Sequence, residues 1–300
     1  MKLTNIVSPS DKLNLSVAIA EPKGKPKAVV QISHGMAEHK ERYFKFMEYL
    51  AENGYVCVIN DHRGHGNSVK DKKDLGYFYT EDTNFIVDDL HDVTFYIKNK
   101  YPDYKTYLFS HSMGTLVARG YIQKYDKEIE KIILCGTPTQ NPFTLFAITM
   151  AYLFKIIGMG KKPNRILNYL TFNSYNKGYK LENEWLSKNP RNISIYNDDE
   201  LCGFTFTTNG FINLYKLLKR AFDTKLYQVQ NKELEIFLIA GASDPVIQST
   251  KKFKKLERFL NELGYENTQS KLYPDLRHEI LNEEEYEQIY NDILSFIKGK

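Results

Sequence analysis

Residues 109–114 read Phe-Ser-His-Ser-Met-Gly, at the end of the apolar run Tyr107-Leu108-Phe109 and followed by Thr-Leu-Val-Ala-Arg-Gly-Tyr-Ile. A strand ends there, a helix begins, and Ser112 sits between them with a small residue two positions away on each side. This is the layout of a nucleophile elbow, a sharp strand-to-helix turn that strains the serine backbone and exposes its hydroxyl. Ser110 and Gly114 fit the requirement for small flanking side chains, because the turn brings neighbouring backbone close. A chain built around such a turn needs a parallel strand layer behind it and partner residues on the loops beyond the strand ends.

The flanking pattern agrees. Leu13–Ala20, Ala28–Ser33, Tyr55–Asn60, Tyr104–Phe109 and Ile129–Cys135 read as strands. Between and after them, Glu41–Asn53, Phe85–Asn99 and Thr115–Tyr125 carry apolar residues at helical spacing. From Asn141 to about Arg220 the rhythm breaks into helical stretches without a clear strand. It then resumes with strand Glu235–Ala240, helix Ser249–Leu263, strand Ser270–Tyr273 and helix Glu283–Ile297. Strands alternating with helices of this length predict an α/β architecture, a mostly parallel central sheet covered on both faces. Residues 1–140 and 221–300 form its core domain, and residues 141–220 a helical cap inserted after the sixth strand. Within that insertion, Phe143–Met159 is strongly apolar but contains Lys155. It is marginal in length for a membrane span. It reads as a cap helix packing on the body, and its outer face as a candidate lip for transient contact with a membrane surface.

Composition excludes several classes. The net charge of +4 on 300 residues is mild and the Lys and Arg residues are dispersed, which argues against nucleic acid as a partner. The three cysteines, Cys57, Cys135 and Cys202, are far apart and form no CxxC pair. That spacing disfavours a disulfide framework or a zinc knuckle and suits a reducing cytoplasm. The amino terminus lacks the apolar stretch of a secretory signal. No GxxxxGK[ST] loop and no dinucleotide-type glycine turn occurs, so no cofactor is expected. The run Asp61-His62-Arg63-Gly64-His65-Gly66 could be taken for a metal cluster. An arginine in its middle repels a cation, so it reads as a structural loop, and no metal is expected.

A serine nucleophile needs a base, and histidine is the usual one. Six of the seven histidines precede Ser112; only His278 follows it, in the loop beyond the last strand. In an elbow architecture the chain order is serine, acid, histidine. Asp244, in Gly-Ala-Ser-Asp-Pro-Val just beyond the Glu235–Ala240 strand, is therefore the candidate acid; its role is to fix the imidazole tautomer and stabilise the imidazolium. Asp275 shares a tight loop with His278 and suits the role less well. Two backbone donors should face a developing oxyanion. The Met113 N–H follows the serine, and the Met36 N–H lies in His34-Gly35-Met36-Ala37, with Gly35 letting the backbone approach.

These segments resemble the α/β-hydrolase superfamily, in particular its monoacylglycerol lipase and lysophospholipase branch, over essentially the whole chain. His34-Gly35-Met36-Ala37-Glu38-His39 followed by Arg42-Tyr43 is similar to that branch's oxyanion segment. Asp61 to Ser68 resembles its loop after the next strand. Ser112-Met113-Gly114, Ser243 to Val246 and His278 to Glu283 are similar to its triad segments. Glycine is usual in the family where this chain has Ser110, and common where it has Thr115. The cap is similar mainly at Leu201-Cys202-Gly203-Phe204. The resemblance implies an α/β-hydrolase fold and a serine esterase acting on lipid-like monoesters. Its triad would be Ser112, Asp244 and His278, and its oxyanion donors Met36 and Met113. Gly35, Cys202 and Val246 are candidate substrate contacts. A lysophospholipase, an aminopeptidase using Asp198, Asp199 or Glu200 to hold an amine, and a non-catalytic ligand-binding member of the fold are the alternatives.

Overall fold

The computed structural model describes residues 1–299. Its centre is an eight-stranded sheet: β1 Lys2–Val7, β2 Asn14–Ala20, β3 Ala28–Ser33, β4 Tyr55–Asn60, β5 Thr106–His111, β6 Lys131–Cys135, β7 Glu235–Gly241 and β8 Thr268–Tyr273. The spatial order is β1-β2-β4-β3-β5-β6-β7-β8. β1 and β2 pair antiparallel with each other, β2 pairs antiparallel with β4, and all other neighbours are parallel.

Strand periodicity divides the core. Alternate residues point to opposite faces, so Leu108, Ile132, Leu134 and Leu238 pack on one side of the sheet, and Phe109, Ile133, Cys135 and Ile239 on the other. The first side is covered by α2 Thr83–Lys100, α3 Met113–Tyr125 and α8 Thr250–Glu262. The second is covered by α1 Phe44–Glu52 and α9 Tyr286–Ile297. The central parallel strands β3 to β6 are buried throughout. That is why they read as continuous apolar runs rather than alternating ones.

β1 is the one strand the sequence did not announce. Its burial alternates between exposed and half-buried positions, because it is an edge hairpin partner of β2 with one face in water. Several boundaries also move by a few residues, two of them at the site. α3 starts at Met113, directly after the serine, and α9 starts at Tyr286. Glu283, expected in the first turn of α9, instead accepts bonds from Ser187 Oγ (2.8 Å) and the Lys188 and Asn189 N–H groups. Between β6 and β7 lie α4 Thr144–Phe154, α5 Arg165–Phe172, α6 Pro190–Asp198 and α7 Thr208–Ala221, joined by short helical turns. α7 buries Phe211, Ile212 and Leu217 in the same cluster as α3, so the segment's last helix belongs to the body's core as well.

The loops leaving β3 and β4 are locked together. Asp61 accepts from the Lys40 N–H and Nζ at 2.8 and 2.7 Å and from the Asn67 N–H at 2.8 Å. Arg63 reaches Asp89 (2.7 Å) and Asp11 (2.9 Å). His34, His62 and His65 cluster beside them, with ring centroids of His34 and His62 4.5 Å apart and the His62 N–H donating to His34 Nε2. Burial drives all three imidazoles towards the neutral form, lowering His62 to about 3 and His65 to about 4, and placing His34 well below its ordinary value.

Because the folded values are depressed, the unfolded chain binds more protons than the native one between its own pKa near 6.5 and the folded values. Stability is therefore complete above about pH 6.5 and declines through pH 4. Each imidazole kept neutral costs about 2 kcal/mol at pH 5. Asp92, raised to about 6 chiefly by its burial, offsets part of this. Urea midpoints measured from pH 7.5 to 4 should fall steeply below pH 6.5. A flat profile down to pH 5 would mean that the three rings protonate in place.

Candidate active site

Ser112 stands at the carboxyl end of β5 with φ 52° and ψ −121°, a left-handed conformation rare for a residue with a side chain. Its neighbours hold it there. Gly114 lets α3 approach the end of β3 so closely that a Cβ would lie 2.3 Å from the Ser33 carbonyl oxygen. The Ser112 N–H donates to the Cys135 carbonyl at 2.9 Å. The two departures from glycine are absorbed by hydroxyl bonds. Ser110 Oγ donates to the Ile133 carbonyl (3.0 Å), and Thr115 Oγ1 to the Ser112 carbonyl (2.6 Å).

The structure brings the three expected side chains together. Ser112 Oγ lies 2.8 Å from His278 Nε2, and His278 Nδ1 lies 2.9 Å from Asp244 Oδ2. The remaining Asp244 oxygen accepts from the Val246 N–H at 2.8 Å. Asp244 and His278 are both buried. They fit above β6 because Gly136, at φ +59°, has no side chain; a Cβ there would stand 3.0 Å from His278 Cε1 and 3.3 Å from Asp244 Oδ2. Asp275 is not in this relay. With Nδ1–H facing the carboxylate, Nε2 is free to accept the serine proton.

Met36 and Met113 flank the serine and line the same cavity. The Met113 N–H opens α3 and is among those that a helix start leaves without an intrahelical acceptor. The Gly35 N–H is taken by Glu38 Oε1 and so does not face the serine. Glu38 and Arg42, quoted above only as part of a motif, prove to be structural hubs. Glu38 also accepts from Tyr43 Oη (2.9 Å) and faces His111 Nδ1 (3.3 Å). His111 Nε2 faces the His278 carbonyl at 3.3 Å. Both partners of that ring are acceptors, an arrangement that favours its protonated form. Burial alone would lower its pKa, but the bond and charge of Glu38 outweigh burial and raise it. Burial likewise opposes ionisation of Glu38, and His111 and Arg42 overcome it and hold the carboxyl below the ordinary range. Arg42 makes a bidentate pair with Glu279 (2.7 and 2.6 Å) and stacks over Tyr196.

A cavity of about 510 Å³ opens above Ser112, walled by the body loops and by the segment between β6 and β7. Gly35 and Val246 line it, with Phe146, Met150, Leu167 and Leu214 among its apolar walls. Cys202 does not. Its side chain is buried behind the wall in a cluster with Trp185, Ile193 and Tyr196, while Gly203 and Phe204 of the same turn line the cavity. The expectation that Cys202 contacts substrate is thereby corrected. Trp185 was missed: it sits in a single helical turn with no periodicity to flag it, yet its ring is 5.2 Å from that of His278. Asp198, Asp199 and Glu200 are outside the lining, and Asp199 pairs with His39 at 2.8 Å.

Removing one partner from a buried ion cluster leaves uncompensated charge, so Glu38→Ala should lower unfolding stability by about 3–5 kcal/mol. Urea denaturation measures this. A loss below about 1 kcal/mol would mean that water already solvates Arg42 and His111.

Comparisons with known proteins agree with this architecture. The profile of the family described as serine aminopeptidase, S33, matches residues 24–285. A monoacylglycerol lipase of Mycolicibacterium smegmatis is 23% identical over 283 residues, covering 92% of this chain and 90% of that one. The human monoglyceride lipase is 28% identical over 181 residues, 60% of this chain and only 54% of the relative, so that match spans about half its length. Among solved structures, a thermostable carboxyl esterase of Bacillus coagulans, in complex with glycerol, superposes with a TM-score of 0.90 at 27% identity, covering 99% of this chain and 98% of that one. A matching family profile over most of the chain, on a sheet of this order with the elbow at its centre, makes this protein a member of the serine aminopeptidase S33 family of α/β-hydrolases.

Proposed function

We propose that this chain is a serine carboxylic ester hydrolase acting on lipid-like monoesters, with monoacylglycerols as the favoured class. The observation that carries the reading is the Ser112–His278–Asp244 relay at the floor of a largely apolar cavity of about 510 Å³. Ser112 Oγ attacks the ester carbonyl carbon as His278 Nε2 takes its proton. The carbonyl oxygen becomes an oxyanion held by the Met36 and Met113 N–H groups. Such a donor is worth about 3 kcal/mol of transition-state stabilisation. The tetrahedral species collapses, the C–O bond to the alcohol breaks, and the imidazolium returns the proton to the leaving oxygen. Water, deprotonated by the same nitrogen, then releases the acid from the acyl-serine. Asp244 holds the ring's tautomer and stabilises its charge throughout.

Residues 141–220 act in this reading as a cap that receives the acyl chain. The relatives support the substrate class: they are named monoacylglycerol or monoglyceride lipase, and the carboxyl esterase structure holds glycerol. The aminopeptidase alternative needs a free carboxylate for the substrate amine. Glu38 and Glu279 line the cavity but are committed to His111 and Arg42, which leaves Glu182 at the rim as the lining carboxylate that could hold an amine. Hydrolysis of glycerol monoesters from short to long acyl chains should peak at medium or long chains and vanish in Ser112→Ala. Ser112-dependent turnover confined to aminoacyl-arylamides would overturn the reading, and a preference for lysophosphatidylcholine would move it to the phospholipid class.

The outer face of the cap meets its substrate at a lipid surface. Phe143, Phe146, Ile156 and Ile157 are 71%, 63%, 78% and 69% exposed, with Lys155, Lys161 and Lys162 beside them. No helix among the described residues is long and apolar enough to cross a membrane, so contact would be peripheral. Replacing Leu153, Ile156 and Ile157, which are exposed and outside the cavity lining, by serine should reduce co-sedimentation with phosphatidylglycerol-containing vesicles at least tenfold and leave turnover of a water-soluble short-chain ester unchanged. Undiminished sedimentation would remove the membrane role.

A further inference from the structure

Outside the Ser112 site, one group of metal-capable side chains meets among the described residues. His39 follows the Met36 loop on the body. Asp199 and Cys202 belong to the turn between α6 and α7. His39 Nε2, an Asp199 carboxylate oxygen and Cys202 Sγ all lie within 4.8 Å of one another. We propose that these three side chains form a binding site for a thiophilic divalent cation, Zn²⁺ above all, that clamps the 199–203 turn to the loop carrying Met36.

Imidazole nitrogen, carboxylate oxygen and thiolate sulfur are the donor set that zinc takes in tetrahedral sites. Zinc-bound histidines characteristically give their other ring N–H to a carboxylate, which fixes the tautomer and aims the free nitrogen. Glu41 does this here: it accepts from His39 Nδ1 and leaves Nε2 facing Asp199 and Cys202. The turn is already shaped. The Leu201 N–H donates to Asp199 Oδ1 (2.8 Å) and the Cys202 N–H to the Asp199 carbonyl (2.9 Å). The Gly203 N–H and Tyr196 Oη both donate to the Ala37 carbonyl, at 2.9 and 3.1 Å, holding the turn on the loop. His39 and Cys202 are buried, and Asp199 is half-buried.

His39 sits between the carboxylates of Glu41 and Asp199, which offset the charge of an added cation. Arg42 is paired to Glu279 and Glu38. Tetrahedral donors stand about 3.3–3.8 Å apart at zinc bond lengths, so binding would open the 2.8 Å His39–Asp199 contact and draw in Cys202 Sγ.

The test uses the full chain, stripped with a chelator and titrated with ZnCl₂ by calorimetry, and with CoCl₂ by absorption. The expected result is one equivalent bound, proton release as the thiol becomes a ligand, and a thiolate-to-cobalt charge-transfer band. Cys202→Ser should abolish the band. Asp199→Asn and Glu41→Gln should each weaken Zn²⁺ at least tenfold, with far-UV circular dichroism unchanged. Asp199 is half-buried and Glu41 is on the surface side, so these two variants test the site even if Cys202→Ser folds poorly. No saturable Zn²⁺ binding, or binding that all three variants leave unaltered, would overturn the proposal and leave His39–Asp199 as an ion pair alone.

Discussion

The Arg42 guanidinium is the point on which the rest of the site depends. It holds Glu279, the residue after His278, in a bidentate pair, it lies 3.5 Å from Glu38 beneath the Met36 loop, and it stacks on Tyr196 of α6. Three separate stretches of chain thus meet at one buried charge. A planar five-donor cation suits this role, because it can satisfy two carboxylates and an aromatic face at once. The cluster adds geometric definition more than stability. Ion pairs lose much of their attraction to desolvation, but a half-satisfied one is costly, so alternative arrangements are disfavoured.

The elbow works by the same economy of space. Ser112 is strained because α3 presses on the end of β3 at Gly114, and the pressing is sustained by the apolar contacts of Leu116, Val117 and Ile122 beneath it. A strained residue persists only where surrounding packing over-determines it. The buried hydroxyl bonds of Ser110 and Thr115 show how side chains other than glycine are accommodated there: each finds a carbonyl acceptor and so leaves no unpaired polar group.

Legibility in the sequence followed locality. The parallel strands were visible because burial on both faces makes them uniformly apolar, and β1 was not, because an edge strand with one wet face resembles a polar tail. Chain order alone singled out His278, since the other histidines precede Ser112, and strand ends singled out Asp244. Cys202 was misassigned because a shared short motif says which residues are adjacent but not which way each side chain turns. Trp185, and the union of His39 with Asp199 and Cys202, join positions up to 163 residues apart and leave no local signature.

What the sequence by itself determined is the alternation of strands and helices, the elbow at Ser112, and the order of the residues on the loops beyond the strands. Those depend on periodicity and on turn chemistry, which act over a few residues. Only the tertiary structure decided which of the loop residues touch. It set the 2.8 and 2.9 Å steps from Ser112 through His278 to Asp244, the burial of Arg42 among carboxylates, and the cavity's walls. Those depend on how far helices and loops can approach across a sheet, which is a property of packed volume and not of sequence order.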